Sequence, residues 1–545
     1  MKKILALGAF LAMVFGLATP IQAAGPKYTA YQKTLSSFSS SATGLTSQQK
    51  AQVKATVDAN PAAEKFICTG IRYYSQPMSV NIIVRNRAKA ACEYAKELNP
   101  SLSTWFQNKP TQARSYAGKV LLTVKSPDVR ELANQSLGDV DVCKIKQDTQ
   151  YRKPGEPVFD FIGEDEIQGR YTGNATAFPF IPTTLPTSGE IEVSFVYVDW
   201  QDLAGTAVDF KYYQQQIEKF EEFYWMVSEH KLKMNIDSSE NWFRIPGSYE
   251  DFTLTQQEEA QRGAAPKKQV FYDAVVAASD ANTDYSKTQI VFVAIPRSKS
   301  VFFHGGPHEF NFDHNGFMKT SEGSIYNIAA AGDWFLKNDT YEPPWVYYVH
   351  ETGHMLGVPH QANEEFKDGR IMEKNNPISG YEIMANQGGA SRTISSWLRW
   401  LAGWLDDDQV ACITKEEVTD NYFELHPING VTGEVESLVI KISDTKAVVV
   451  ESRRFDPQLD RKTRNSKKGL LVYTVDATKG SAQGNQALLS PRDITKYISE
   501  PTWRSGSELD AVFFQGDSVE IEGIRIEASS IGSDSDVVRV TSTNN

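Results

Sequence analysis

Apolar positions recur along the chain with two periods, near 3.6 and near 2, and their alternation marks out its units. Gln48 to Asp58 carries a helical pattern, and Phe66-Ile67-Cys68-Thr69-Gly70 reads as a strand that ends at its glycine. Arg85 to Leu98 reads as a helix with small and charged residues, and Gly118 to Val124 as a closing apolar strand. Residues 46–125 are therefore expected to form a small α/β module. Before it, residues 25–45 are rich in Ser, Thr and Gly and read as a linker; after it, residues 126–188 carry Pro and Gly clusters, including Pro154-Gly155-Glu156-Pro157, and read as an irregular connector. Ile191 to Trp200 is a buried-strand pattern, Lys211 to His230 a helix, and Lys231 to Ile245 strand material with a turn near Ser238-Ser239. Gln256 to Ser279 has helical spacing broken near Pro266, and Gln289 to Ile295 is again an apolar strand. Strand and helix in alternation predict an α/β domain over 189–409, with helices against a mixed twisted sheet. Beyond Cys412 the pattern turns to short alternating strands: Ser437 to Ile442, Ala447 to Glu451, Leu470 to Val475 and Val519 to Ala528. Residues 410–545 are accordingly expected to be an all-β domain.

A length of 545 residues suits this multidomain division, and 41% hydrophobic with 23% charged residues is ordinary globular composition. The net charge of -12 removes the basic footprint that a general nucleic-acid binder needs. Met1-Lys2-Lys3, an apolar run from Ile4 to Ala18, and Ile21-Gln22-Ala23-Ala24 have the order of a bacterial-type signal peptide over 1–24. That run of about 15 residues is short for a membrane span, so a secreted or extracytoplasmic protein with no membrane span is expected. Four cysteines fit such a compartment. They allow three pairings; shared membership of one module favours Cys68 with Cys92, a loop of about 25 residues whose closure contributes roughly 3.5 kcal/mol. Cys143 then falls to Cys412, unless it serves as a thiol capping a metal.

The chemistry is concentrated in residues 350–360, His-Glu-Thr-Gly-His-Met-Leu-Gly-Val-Pro-His, which hold three of the eight histidines. His350 and His354 are four residues apart, hence about 40° apart around a helix and about 6 Å along it, so both imidazoles reach one metal. Pro343-Pro344 suits the start of that helix and Gly357 its left-handed end, which turns His360 back as a third ligand. Three nitrogen ligands leave one tetrahedral position open, the arrangement of one catalytic zinc. Glu351, beside the first ligand, is the candidate general base that takes a proton from water activated by the metal and passes it to the leaving amine.

This eleven-residue pattern resembles the metzincin clan of zinc metallopeptidases. The resemblance implies a methionine turn under the metal, and Tyr381-Glu382-Ile383-Met384-Ala385 supplies one, with Met384 as hydrophobic floor and not a ligand. Ser396-Trp397-Leu398-Arg399-Trp400-Leu401-Ala402-Gly403-Trp404-Leu405 looks like the closing helix of immune inhibitor A-type secreted metalloproteases. Together these cover about Glu190 to Asp408. Many relatives of immune inhibitor A carry Asp where His360 stands, Gln361 replaces the Glu of astacins and serralysins, and no Tyr lies two residues after Met384. The strand end Cys68-Thr69-Gly70 and the helix segment Arg87 to Ala95 resemble an OmpA-like module, which implies cell-wall polymer as a partner.

The expected function is thus a secreted zinc metalloendopeptidase acting on proteins or peptides. The alternative is a non-enzymatic envelope-binding protein with a vestigial metal site. His304, His308 and His314 with Asp313 form a polar cluster that reads as a solvated loop, with a second metal site or a substrate-cleft loop as the alternatives. Asp406-Asp407-Asp408 is a candidate calcium site, with solvated carboxylates as its plainer reading. His230 and His426 stand alone and are expected to be structural.

Overall fold

The computed structural model describes residues 28–543 except 59, 61–62, 77–78, 112, 128–137, 148–173, 184, 240, 253–263, 298–317, 326, 331–341, 368–369, 390, 431, 457–458, 461–467, 500–510 and 533. The segment 1–24, expected to be a signal peptide, and the cluster His304, His308, Asp313 and His314 lie outside the described residues. No helix among the described residues is long and apolar enough to cross a membrane. The protein is a multidomain α/β protein with several sheets.

The N-terminal module is a four-stranded sheet in the order Tyr28–Thr34, Val120–Pro127, Lys65–Tyr73, Ser103–Thr111, with helices Ser47–Asp58 and Ser79–Leu98. Two features correct the sequence expectation. Part of the expected linker 25–45 is the edge strand Tyr28–Thr34, antiparallel to Val120–Pro127, and Leu35 behind it is buried in the module core. Gly70 is mid-strand and does not end it: a Cβ there would clash with the Val84 carbonyl oxygen, so the glycine lets helix Ser79–Leu98 approach the sheet. Cys68 and Cys92 join that strand to that helix.

The central domain is built on Gly189–Asp199, flanked by Leu232–Ser238 on one side and by Ile290–Ala294 and then Asn327–Ala330 on the other. A mixed sheet is expected, but among the described residues every pairing in this sheet is parallel. Burial on both faces explains the nearly unbroken apolar run Ile191 to Trp200. Helix Ala207–Val227 begins at a capping box between Thr206 and Asp209 and packs on helix Pro344–Leu356, which carries His350 and His354. It stops before Glu229 and His230, both at positive φ, whereas helical spacing extends the expectation to His230. His230 is a structural residue, as expected: its ring stacks between Trp225 and, from the N-terminal module, Trp105, at 4.6 and 4.1 Å. Pro266 sits in the first turn of helix Ala264–Ser279, where its missing N–H costs little, and the preceding stretch 256–263 of the expected helical pattern lies outside the described residues.

The C-terminal region is two sheets, but it is not detached. One runs Val410–Thr414, Ser437–Lys441, Lys446–Arg453, Gly469–Asp476, Gln486–Leu489; the other runs Asp420–Leu425, Asp536–Ser542, Ile524–Ile531, Ser518–Ile521. The expected single strand Val519 to Ala528 is a hairpin, because Glu522 and Gly523 adopt positive φ between two strands. Alternate residues of the five-stranded sheet enter different cores. Leu438, Ile440, Val448 and Val450 meet the second sheet, while Val439, Val449, Leu471, Tyr473 and Val475 join the core of the central domain beside Trp397. The connector is not wholly irregular, since it begins in strand Val120–Pro127 and holds the short helix Val140–Cys143; Ala175 and Ala177 are buried, and Phe178 packs its ring on Trp397 and Trp400. Cys143 of the connector is bonded to Cys412 in strand Val410–Thr414, so it is not a free metal-capping thiol.

Candidate metal centre

Helix Pro344–Leu356 is buried along its whole length, which explains an apolar approach, Trp345 to Val349, with no amphipathic alternation. Pro343 caps its start and Pro344 opens its first turn, where a missing N–H costs nothing. Gly357 ends it at φ 103 and carries the chain to His360; a Cβ there would lie 2.8 Å from the Ile181 carbonyl oxygen of the connector. The spacing thus acts as the sequence predicts. His350, His354 and His360 converge, with one ligating atom from each lying within 4.8 Å of the others, and all three are buried.

The hydrogen bonds of the first two rings decide which nitrogens face the centre. His350 Nδ1 is 2.9 Å from the Ile383 carbonyl oxygen, and His354 Nδ1 is 3.3 Å from that of Val358. A carbonyl can only accept, so each Nδ1 carries the proton and each Nε2 presents a lone pair. The two Nε2 atoms stand 3.1 Å apart. Two buried lone pairs at that separation repel unless a cation lies between them. Ligation by zinc at about 2.0–2.1 Å in a tetrahedron sets nitrogens roughly 3.3 Å apart, so the donor set fits that ion. His360 Nδ1 lies 3.4 Å from Glu364 Oε1, a carboxylate–imidazole pairing of the kind that raises ligand basicity.

Glu351 is buried on the same helix, one residue beyond the first ligand. On the core side, Tyr224 donates its hydroxyl to the Val349 carbonyl oxygen at 2.6 Å. Burial holds its phenol far above the usual range, and the negative charge of Glu351 adds to that.

Met384 lies directly beneath the helix: a Cβ on Gly353 would come within 2.5 Å of its sulfur. Gly353, the fourth residue of the motif, is therefore what admits the methionine floor, a role the sequence reading did not give it. The turn carrying Met384 is tied down by charges the sequence reading also passed over. Glu382 is fully buried and accepts from the backbone N–H groups of Met384 at 3.1 Å and Ser395 at 2.6 Å. Burial pushes its carboxyl up to about 7. Arg453, at the end of strand Lys446–Arg453, donates to the Tyr381 carbonyl oxygen and the Ser391 hydroxyl, both at 2.9 Å. Glu451 of the same strand accepts from the N–H of Ser396 at 2.7 Å and from the Tyr473 hydroxyl at 3.0 Å. The available signal was Glu451-Ser452-Arg453, charges continuing a strand otherwise apolar.

The acidic run behaves otherwise than a calcium site. Asp406 is paired with Lys231 at 2.7 Å, and Asp407 with Lys144 at 2.8 Å. Trp400 Nε1 donates to Asp407 as well, at 2.9 Å. Two carboxylates already neutralised by lysines do not converge on a cation. Among the described residues, the three histidines are the one such group of metal-ligating side chains.

No protein-family model matches the chain, and no curated protein matches it.

Proposed function

We propose that the protein is a secreted zinc-dependent metalloendopeptidase. The observation that carries this reading is the pair of Nε2 lone pairs 3.1 Å apart, completed by His360 and accompanied by Glu351. His350, His354 and His360 would hold the ion. A zinc ion there supplies Lewis acidity, which polarises a peptide carbonyl and acidifies water at the centre.

The remaining steps belong to the chain's own groups. Glu351 takes a proton from the attacking water as its oxygen bonds to the carbonyl carbon, then returns that proton to the amide nitrogen as the carbon–nitrogen bond breaks. The Ile383 and Val358 carbonyls keep the two histidines in the ligating tautomer throughout. Burial of the helix withholds competing water from its apolar side. The cysteines, paired as Cys68–Cys92 and Cys143–Cys412, suit an oxidising compartment.

The test is hydrolysis of an unfolded protein substrate before and after treatment with a zinc chelator, with zinc restored afterwards. Expected are new peptide termini, loss of cleavage on chelation and its return with zinc. Zinc retained without any cleavage, together with sedimentation of the protein on cell-wall material, would favour the envelope-binding alternative.

A further inference from the structure

We infer that Ser481, in the C-terminal region, is a positioning residue for the third metal ligand, so that the β-rich half of the chain completes the metal centre. The inference rests on the reading of His350, His354 and His360 as a metal site.

The loop between strands Gly469–Asp476 and Gln486–Leu489 lies along the segment that carries His360. The Ser481 hydroxyl oxygen accepts from the His360 backbone N–H at 2.8 Å, and the Ala482 N–H donates to the His360 carbonyl oxygen at 2.8 Å. Glu364 N–H then donates to the Ala482 carbonyl oxygen at 2.9 Å, and Asn363 bridges to Gln483. His360 is thus held on both of its peptide groups by residues about 120 positions away in sequence. On the other side, Gln361 N–H donates to the Met384 carbonyl oxygen at 2.9 Å. These bonds fix the backbone between the methionine turn and the C-terminal loop.

Two observations argue that the loop is shaped for this contact. Ala482 sits at φ 59, a conformation an alanine adopts only when its surroundings impose it, and this is the residue that bonds His360 and Glu364. Gly484, at φ 62, is pressed against Pro377 and Asn363: a Cβ there would lie 3.0 Å from Pro377 Cγ. Ser481 itself is buried, so its hydroxyl is not shared with bulk water.

His350 and His354 are held by their helix. His360 stands on irregular chain beyond Gly357, where no helical spacing sets the ring's distance from the other two. Removing the Ser481 hydroxyl leaves a buried N–H unpaired and frees the backbone that carries the ligand.

The experiment measures zinc affinity by chelator competition on the full chain and on Ser481→Ala and Ser481→Thr, at a temperature where circular dichroism shows all three folded. Ser481→Ala should bind zinc on the order of tenfold more weakly, the range seen when partners outside the ligand shell are lost, and Ser481→Thr should stay within about threefold of the parent. Equal affinities for the parent and Ser481→Ala would overturn the inference, as would equal losses in both variants. No substrate enters the measurement. A parent chain that binds zinc but cleaves nothing would refute the peptidase reading and leave this one standing, and a parent that binds no zinc would overturn both.

Discussion

His350 Nδ1 and the carbonyl oxygen of Ile383 lie 2.9 Å apart, and this bond couples the first of the three clustered histidines to the turn that carries Met384. The turn is wedged under Gly353, held by the buried Glu382 carboxylate and by Arg453. A displacement of the backbone at Ile383 and Met384 therefore reaches the imidazole.

Gly353→Ala tests that coupling. Its Cβ would enter within 2.5 Å of Met384 Sδ, so the floor must move. Overpacking of this kind costs about 1–3 kcal/mol, read as a lowered urea midpoint, and zinc affinity should fall with it. Unchanged stability and affinity would show that the methionine is free to yield.

A second expectation concerns pH. Burial raises the Glu229 carboxyl from 4.5 to about 7, and Glu382 and Asp460 are also raised to about 7. Between these limits the folded chain keeps protons that the unfolded chain has released. Unfolding free energy therefore falls as pH rises, by up to about 1.4 kcal/mol per pH unit for each group, and the loss is complete above about pH 7. Glu229→Gln keeps the shape and removes one such group. Urea unfolding from pH 4.5 to 8 should show a shallower decline for this variant and, at pH 8, stability greater by on the order of 1–3 kcal/mol. Parallel profiles would contradict the assignment.

The Cys143–Cys412 bond joins residues 269 apart and ties the connector to strand Val410–Thr414. Cys143→Ala with Cys412→Ala should lower stability by about 3–5 kcal/mol, because a loop of that length regains much chain entropy on unfolding. A loss below about 1 kcal/mol would mean that packing of Trp397 and Trp400 on the connector suffices without it.

Much of the metal centre is legible in the sequence because it is local. His350 and His354 need only helical spacing, Gly357 only its freedom at positive φ, and the Cys68–Cys92 pair only membership of one module. What escapes is set by partners far along the chain. Tyr28–Thr34 looks like the start of a Ser/Thr-rich linker until Val120–Pro127 pairs with it. Ser103–Thr111 is the edge strand of its sheet among the described residues and contains Pro110, which an edge position tolerates, and its polar pattern gives no alternation. Nothing in the sequence marks Glu382, Glu451 and Arg453 as buried, yet they are, because each finds backbone or hydroxyl partners in the methionine turn and closing helix. Asp406 and Asp407 attract a calcium reading that Lys231 and Lys144, distant in sequence, cancel.

The most direct measurement is zinc content and cleavage of an unfolded protein on the parent and on Glu351→Ala, side by side. The expected result is about one zinc per chain in both, with cleavage falling by a factor on the order of 10²–10⁴ in Glu351→Ala, the contribution typical of a positioned acid–base group. Equal cleavage by the two proteins, with zinc bound in both, would contradict the assignment of Glu351 as the general base.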